Sequence, residues 1–272
     1  MKSLISDIPP FALCEGIYFV GSRKVSVHLF ESREGLILLD TGYPSMYEQI
    51  LESIRALGFD PRDVGHIFHS HGHIDHYGCT ARLVALSGAK TYIGRKDADI
   101  VSGARDLSWA KELGLARLPA LACDTLLDDG NVFDFGDLRV RVRHTPGHTE
   151  GTFSYFFERV SDGAHIVAAM HGGAGMNSLS RAFLEEYGLP LSLRDDFRRS
   201  LHALKAERVD LVLGNHPAQS DTEGKRARRL LGESVLDKTE WERVLSLFEG
   251  RLDKLLSDEE KNAQTTYAKK SA

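Results

Sequence analysis

The segment Phe68-His69-Ser70-His71-Gly72-His73-Ile74-Asp75-His76-Tyr77-Gly78 follows directly on an apolar run, Val64-Gly65-His66-Ile67-Phe68, and spaces its donors as His-x-His-x-Asp-His. A strand that ends in such a loop narrows the choice of fold, because the donors must be held at the C-terminal edge of a sheet. His71 and His73 are two apart, so in extended backbone they point the same way. Asp75 and His76 fall on a turn, where adjacent side chains can diverge toward different ions. One loop can therefore serve a pair of metals, and neutral imidazole with carboxylate suits a borderline ion such as zinc. Two further histidines sit at the ends of other expected strands, His148 in Thr145-Pro146-Gly147-His148-Thr149 and His216 in Gly214-Asn215-His216-Pro217. Glycine and proline restrain the backbone at both places, which suits a metal ligand.

The rest of the chain reads as alternating strands and helices. The runs 16–20, 25–30 and 35–40 are rich in β-branched and aromatic residues and read as neighbouring antiparallel strands. A helix is expected over about 46–57, closed by Gly58, then strands at 64–69 and 90–93 around a helix at 80–86. A further helix with local breaks is expected over 96–113. In the second half, 138–144 alternates apolar and basic residues, the mark of a strand with one wetted face. Strands at 154–158, 164–169 and 209–213 and a helix at 195–206 follow. Trp241, Val244, Leu245 and Phe248 form an amphipathic stripe that either packs on the body or supports a homodimer. No low-complexity linker divides the chain. It reads as one α/β domain over 1–258, with C-terminal helices packed on it and a polar, frayed tail at 259–272.

Composition removes several other classes. With 42% hydrophobic and 27% charged residues, the 272-residue chain is neither disordered nor fibrous in character. A net charge of -5 gives no reason to expect a nucleic-acid partner. No apolar window is long enough to span a membrane. Residues 1–10 contain no continuous apolar stretch, so no secretory signal is read. The expected location is cytoplasmic, or periplasmic or secreted if the chain is a trimmed mature form. Cys14, Cys79 and Cys123 are scattered and odd in number, and read as buried thiols.

Taken together, Ile17-Tyr18-Phe19-Val20-Gly21, Asp40-Thr41-Gly42, the His71 to His76 motif, the His148 segment and His216-Pro217 closely resemble the metallo-β-lactamase superfamily along nearly the whole chain. The resemblance implies a four-layer αββα sandwich of two mixed β-sheets flanked by helices, with a metal groove between the sheet edges. It implies two Zn2+ per chain, the first on His71, His73 and His148 and the second on Asp75, His76 and His216. A metal-bound hydroxide would attack a carbonyl, and Asp75 would orient it and accept its proton. Asp40 resembles the acid that accepts the free ring N–H of a ligating histidine, a role compatible with capping the following segment.

Many members of the superfamily carry a bridging aspartate where this chain reads Ala169-Met170-His171-Gly172-Gly173. The third subclass of metallo-β-lactamases lacks that acid and uses the ligand set found here, and 196–213 is also similar to it. The expected function is therefore a zinc-dependent β-lactam hydrolase, of the kind that confers antibiotic resistance. The alternative is a housekeeping metallo-hydrolase of another cyclic amide, lactone or ester with incidental β-lactamase activity. A non-catalytic metal-binding scaffold is the remote third reading. The partner in the enzymatic readings is a small molecule with a hydrolysable carbonyl. His171 stands where relatives place a serine, and is expected either to act at the second metal or substrate or to be a structural contact. Tyr43, Phe183, Leu184 and Tyr187 are candidates for the groove wall or for ordinary packing.

Overall fold

The computed structural model describes residues 8–161 and 164–270. Residues 1–7, most of the segment read for a signal, lie outside it, as do the last two residues of the expected tail. Seven strands form the first sheet, in chain order: β1 (Phe11–Cys14), β2 (Ile17–Phe19), β3 (His28–Ser32), β4 (Gly35–Leu39), β5 (Val64–Phe68), β6 (Lys90–Gly94) and β7 (Thr125–Leu127). Tight turns join β1 to β4, which are antiparallel. From β4 to β7 the strands are parallel, because helices α1 (Tyr47–Ala56), α2 (Ile74–Tyr77), α3 (Thr80–Ser87) and α4 (Ala98–Val101) lie in the connections.

The second sheet contains β8 (Val132–Asp134), β9 (Leu138–His144), β10 (Phe153–Ser161), β11 (Ala164–Met170) and β12 (Leu211–Leu213), in the order β12-β11-β10-β9-β8. Only β11 and β12 are parallel, across a connection that holds α5 (Arg181–Glu186) and α6 (Leu193–Leu204). Helices α7 (Thr222–Leu230) and α8 (Glu240–Lys270) complete the described chain.

Alternation along the strands builds four layers. Phe30, Ile37, Leu39 and Phe68 of the first sheet meet Val140, Val142, Tyr155 and Phe157 of the second in one buried core. Their neighbours Leu29, Leu36, Leu38 and Ile67 face the other way, onto Ile50 and Ile54 of α1 and Leu83 of α3. Phe156, Val167, Ala169 and Val212 likewise face α6 and α8. Phe30 and Phe157 stack across the central core with ring centroids 3.7 Å apart. Phe157→Ala is expected to destabilise the protein by about 3–5 kcal/mol, read from urea unfolding, because the two sheets cannot close over the lost ring.

The expected sandwich of two mixed sheets flanked by helices is the observed architecture. Trp241 packs against the second sheet, its indole N–H donating to the Leu204 carbonyl at 3.0 Å, so the α8 stripe covers the core. The arginines of β9 do face water, and Arg141 reaches Glu158 and Glu207.

Two expectations change. The helix expected over 96–113 reduces to the single turn α4 after a short 3-10 turn, and 102–124 has no regular structure. Gly103, Trp109 and Gly114 take φ values of 79°, 65° and 64°, which a right-handed helix cannot contain. The expected strand at 25–30 begins only at His28, although Val20 and Val27 are already joined by a backbone bond. Helix α8 runs on through the polar stretch after 258 to Lys270. No helix among the described residues is long and apolar enough to cross a membrane.

Candidate metal centre

The loops after β4, β5, β6, β9, β11 and β12 meet at one end of the sandwich, beyond the strand C-termini. There His71, His73 and His148 form one group of donors and Asp75, His76 and His216 a second, each with its ligand atoms within 4.8 Å of one another. His71 belongs to both neighbourhoods, its ring centroid 4.6 Å from those of His73 and His148 and 4.3 Å from that of His76. The Asp75 carboxylate lies 3.5 Å from His76 Nε2 and 3.8 Å from His216 Nε2. A cleft of about 220 Å³ opens onto all six, walled by Tyr43, Trp109, Leu113, Asn177 and Ser178.

Backbone acceptors set the tautomers. Nδ1 of His71, His148 and His216 donates to the carbonyls of Gly172 at 2.8 Å, Gly175 at 2.9 Å and Lys24 at 2.7 Å. A carbonyl only accepts, so the proton sits on Nδ1 and the Nε2 lone pair faces the centre. His76 Nδ1 meets Asp40 Oδ2 at 2.7 Å and is turned the same way, whereas His73 brings Nδ1 to within 3.1 Å of His71 Nε2. Convergent lone pairs of five imidazoles beside one carboxylate repel one another unless a cation lies between them, so the donor set fits two ions. His69 in the same loop is different. Its nitrogens are bonded to the Tyr92 carbonyl and to Thr80 Oγ1, and it is a structural residue.

Burial favours the neutral form of four of these histidines. It holds His71 and His73 well below the ordinary imidazole value and takes His148 down to about 4, with neighbouring histidines adding to the effect at His71 and His73. His216 is lowered by burial and then by His76. At His76 burial works against the charge, but Asp75 and Asp40 outweigh it and the group is raised.

Asp40 stands where the sequence placed it. It takes φ 63°, and its carboxylate accepts from His76 Nδ1, from the Ser70 N–H at 2.7 Å and from Ser70 Oγ at 2.8 Å. Tyr43 lines the cleft and also packs against the core beneath α1. Phe183 borders a small adjoining cavity beside His73 and His148. Tyr187 lines neither space, because its ring stacks behind Phe183 and its hydroxyl is bonded to Glu112.

For His171 the sequence leaves two roles open, one at the second metal or substrate and one as a structural contact. Ala168 and Met170 point into the core between the sheets, so the next residue after Met170 points outward. Its ring packs between Phe197 of α6 and Phe248 of α8, with Nδ1 accepting from the Gly173 N–H, and does not line the cleft. This position matches the structural contact and not the catalytic role. No acid could replace it a residue later, because a Cβ on Gly172 would meet the Phe153 carbonyl oxygen at 1.9 Å. A Cβ on Gly173 would meet His148 Cδ2 at 2.3 Å. Gly173→Ala is therefore expected to displace His148 and weaken one of two bound ions by about 10–100-fold, measured by competition with a chromophoric chelator.

Three contributors escaped the sequence reading. Trp109 lies 5.2 Å from the His73 ring, in a left-handed conformation that no sequence pattern announces. Ser178 Oγ lies 2.9 Å from His148 Nδ1. Asp97, read only as part of a helix, is fully buried beneath the His71 to His73 loop.

Comparison with known proteins agrees with this geometry. The family model described as "Metallo-beta-lactamase superfamily" matches residues 20–161. The chain is 32% identical over 123 residues to an uncharacterised protein of Aquifex aeolicus, covering 45% of this chain and 54% of that one. It is 30% identical over 115 residues to a hydroxyacylglutathione hydrolase of Methylococcus capsulatus, covering 42% and 36%. The chain thus spans about half or less of the length of these curated relatives. Among solved structures, BJP-1, a subclass B3 metallo-beta-lactamase of Bradyrhizobium japonicum, superposes with a TM-score of 0.85 at 27% identity, covering 97% of this chain and 99% of that one. The family match over more than half the sequence and the cleft where both donor groups meet lead to one conclusion: this chain belongs to the metallo-β-lactamase superfamily.

Proposed function

We propose that the protein hydrolyses a small acyl compound with an activated carbonyl, a cyclic amide, lactone or ester, using two zinc ions. The observation that carries this reading is the pair of donor groups sharing one open cleft. His71, His73 and His148 would hold one ion and Asp75, His76 and His216 the other. Imidazole and carboxylate donors without thiolate suit zinc. When bound, the ions supply Lewis acidity, which polarises a carbonyl and acidifies water toward neutrality.

The chain's own groups do the rest. Asp75, buried between His76 and His216, orients the attacking water and accepts its proton at a carboxylate oxygen. Asp40 and the carbonyls of Gly172, Gly175 and Lys24 keep the ring protons of four histidines on Nδ1, so none of these rings can turn during turnover. Trp109 and Tyr43 narrow the mouth and limit the water that reaches the carbonyl.

β-Lactam opening is the second reading. The absence of an acid at His171 and the similarity to a subclass B3 enzyme along nearly the full chain favour it. Both readings are tested by assaying zinc-loaded protein, with Asp75→Ala as control, on a carbapenem, a cephalosporin, an acyl lactone, a hydroxyacylglutathione and a phosphodiester. The general reading expects metal-dependent turnover of at least one carbonyl substrate and is overturned by phosphodiester cleavage alone or by no turnover at all. β-Lactam turnover well below that of the lactone or thioester sinks the second reading.

A further inference from the structure

We propose that Asp97 is the positioning residue for the first metal group, a buried clasp that joins the two halves of the molecule at that ion. The proposal rests on the two-ion reading above. The first group is divided between the sheets: His71 and His73 come from the loop after β5, and His148 from the loop after β9. Its three ligands are neutral imidazoles, so no charged ligand draws the loops together. Asp97, in the turn after β6, reaches both. Its Oδ2 accepts from the N–H of Gly72, the residue between His71 and His73, at 2.8 Å, and from Oγ1 of Thr149, the residue after His148, at 2.6 Å. Its Oδ1 accepts from the Gly151 N–H at 2.8 Å.

The packing leaves no slack. A Cβ on Gly72 would meet Asp97 Cβ at 3.3 Å and Ile100 Cβ at 3.0 Å, and one on Gly151 would meet Asp97 Oδ1 at 2.5 Å. Both loops therefore rest directly on this side chain. The second group has other supports, since His76 is held by Asp40 and His216 by the Lys24 carbonyl. The contacts of Asp97 fall between His71 and His73 and beside His148, and none reaches Asp40 or Lys24, so its loss is expected to act first on the first group.

Asp97→Ala removes all three hydrogen bonds. Asp97→Asn keeps the volume but turns an amide NH2 toward at least one backbone N–H, whichever way it is oriented. Metal-free wild type and both variants are titrated with zinc against a chromophoric chelator, bound ions are counted by elemental analysis, and folding is followed by thermal unfolding. The expected result is a folded variant that binds one ion as the wild type does and the other about 10–100-fold more weakly. Adding Asp75→Ala to the Asp97→Asn protein then weakens the remaining tight site. Two ions bound with wild-type affinity, or both weakened alike, overturn the proposal, and so does failure of both variants to fold. A wild-type protein that binds fewer than two ions refutes the two-ion reading instead.

Discussion

Asp75→Ala is expected to lower turnover by about 10²–10⁴-fold, the range for loss of a positioned proton acceptor. Asp75 lies on α2, the one-turn helix that the His71 to His76 loop forms directly beyond His73. That turn sends its carboxylate toward His76 Nε2 and His216 Nε2 while leaving it on the wall of the cleft. No other carboxylate lines that cleft among the described residues, so no neighbour can take over the proton. If the group acts only in the transition state, kcat and kcat/KM fall together. Steady-state kinetics on the best substrate, with zinc content measured in the same samples, checks this. Asp75→Asn separates the two duties, since the amide oxygen can still face an ion but is a poor proton acceptor. A variant within ten-fold of wild type at equal metal content would remove Asp75 from the proposed chemistry.

Removal of the ions is expected to abolish hydrolysis and to make stability strongly dependent on acid. Each ion that binds only the folded chain stabilises it by about 4 kcal/mol at a thousand-fold excess over its Kd. Without ions, burial and their neighbours leave His71, His73, His148 and His216 with folded-state pKa values below that of an unfolded histidine. Between the folded value and about 6.5 the unfolded chain binds more protons, so stability falls as pH falls through that window. For His148, whose folded value is about 4, this amounts to roughly 3 kcal/mol by the lower end. His76 has the opposite sign, because its raised value contributes stability that is lost as pH rises. Four groups outweigh one, and the metal-free protein should lose stability steadily from pH 6.5 to 4. Urea titrations of chelated and zinc-loaded protein at several pH values test this. A flat profile for the chelated form over that range would contradict the buried, neutral state of these rings.

Local pattern made much of the fold legible. The alternation at 138–144 is β9 residue for residue, Gly58 closes α1 with φ 91°, and the apolar run at 64–68 is β5. These signals survive because each depends on neighbours two to four positions away. The expected helix over 96–113 failed because no such signal is present there. That segment is shaped by what it covers: Ser108 accepts from the Ile74 N–H at 2.7 Å, and Trp109 lies against His73 and Phe183. The role of His171 stays open in the sequence for another reason. Which face of Ala168-Ala169-Met170 meets the other sheet depends on a partner sheet far away in sequence, and a change of face carries the next side chain to the opposite layer.

By itself the sequence named the candidate donors of this centre, the spacing of four of them along one loop and the strands that end beside them, since donor chemistry and strand periodicity are properties of short segments. Only the tertiary structure decided which loops share the cleft, that His171 lies among the helices, that Trp109 walls the mouth and that Asp97 clasps the two halves. Those outcomes depend on packing between residues tens of positions apart, and a buried carboxylate shows its role only once the groups that surround it are known.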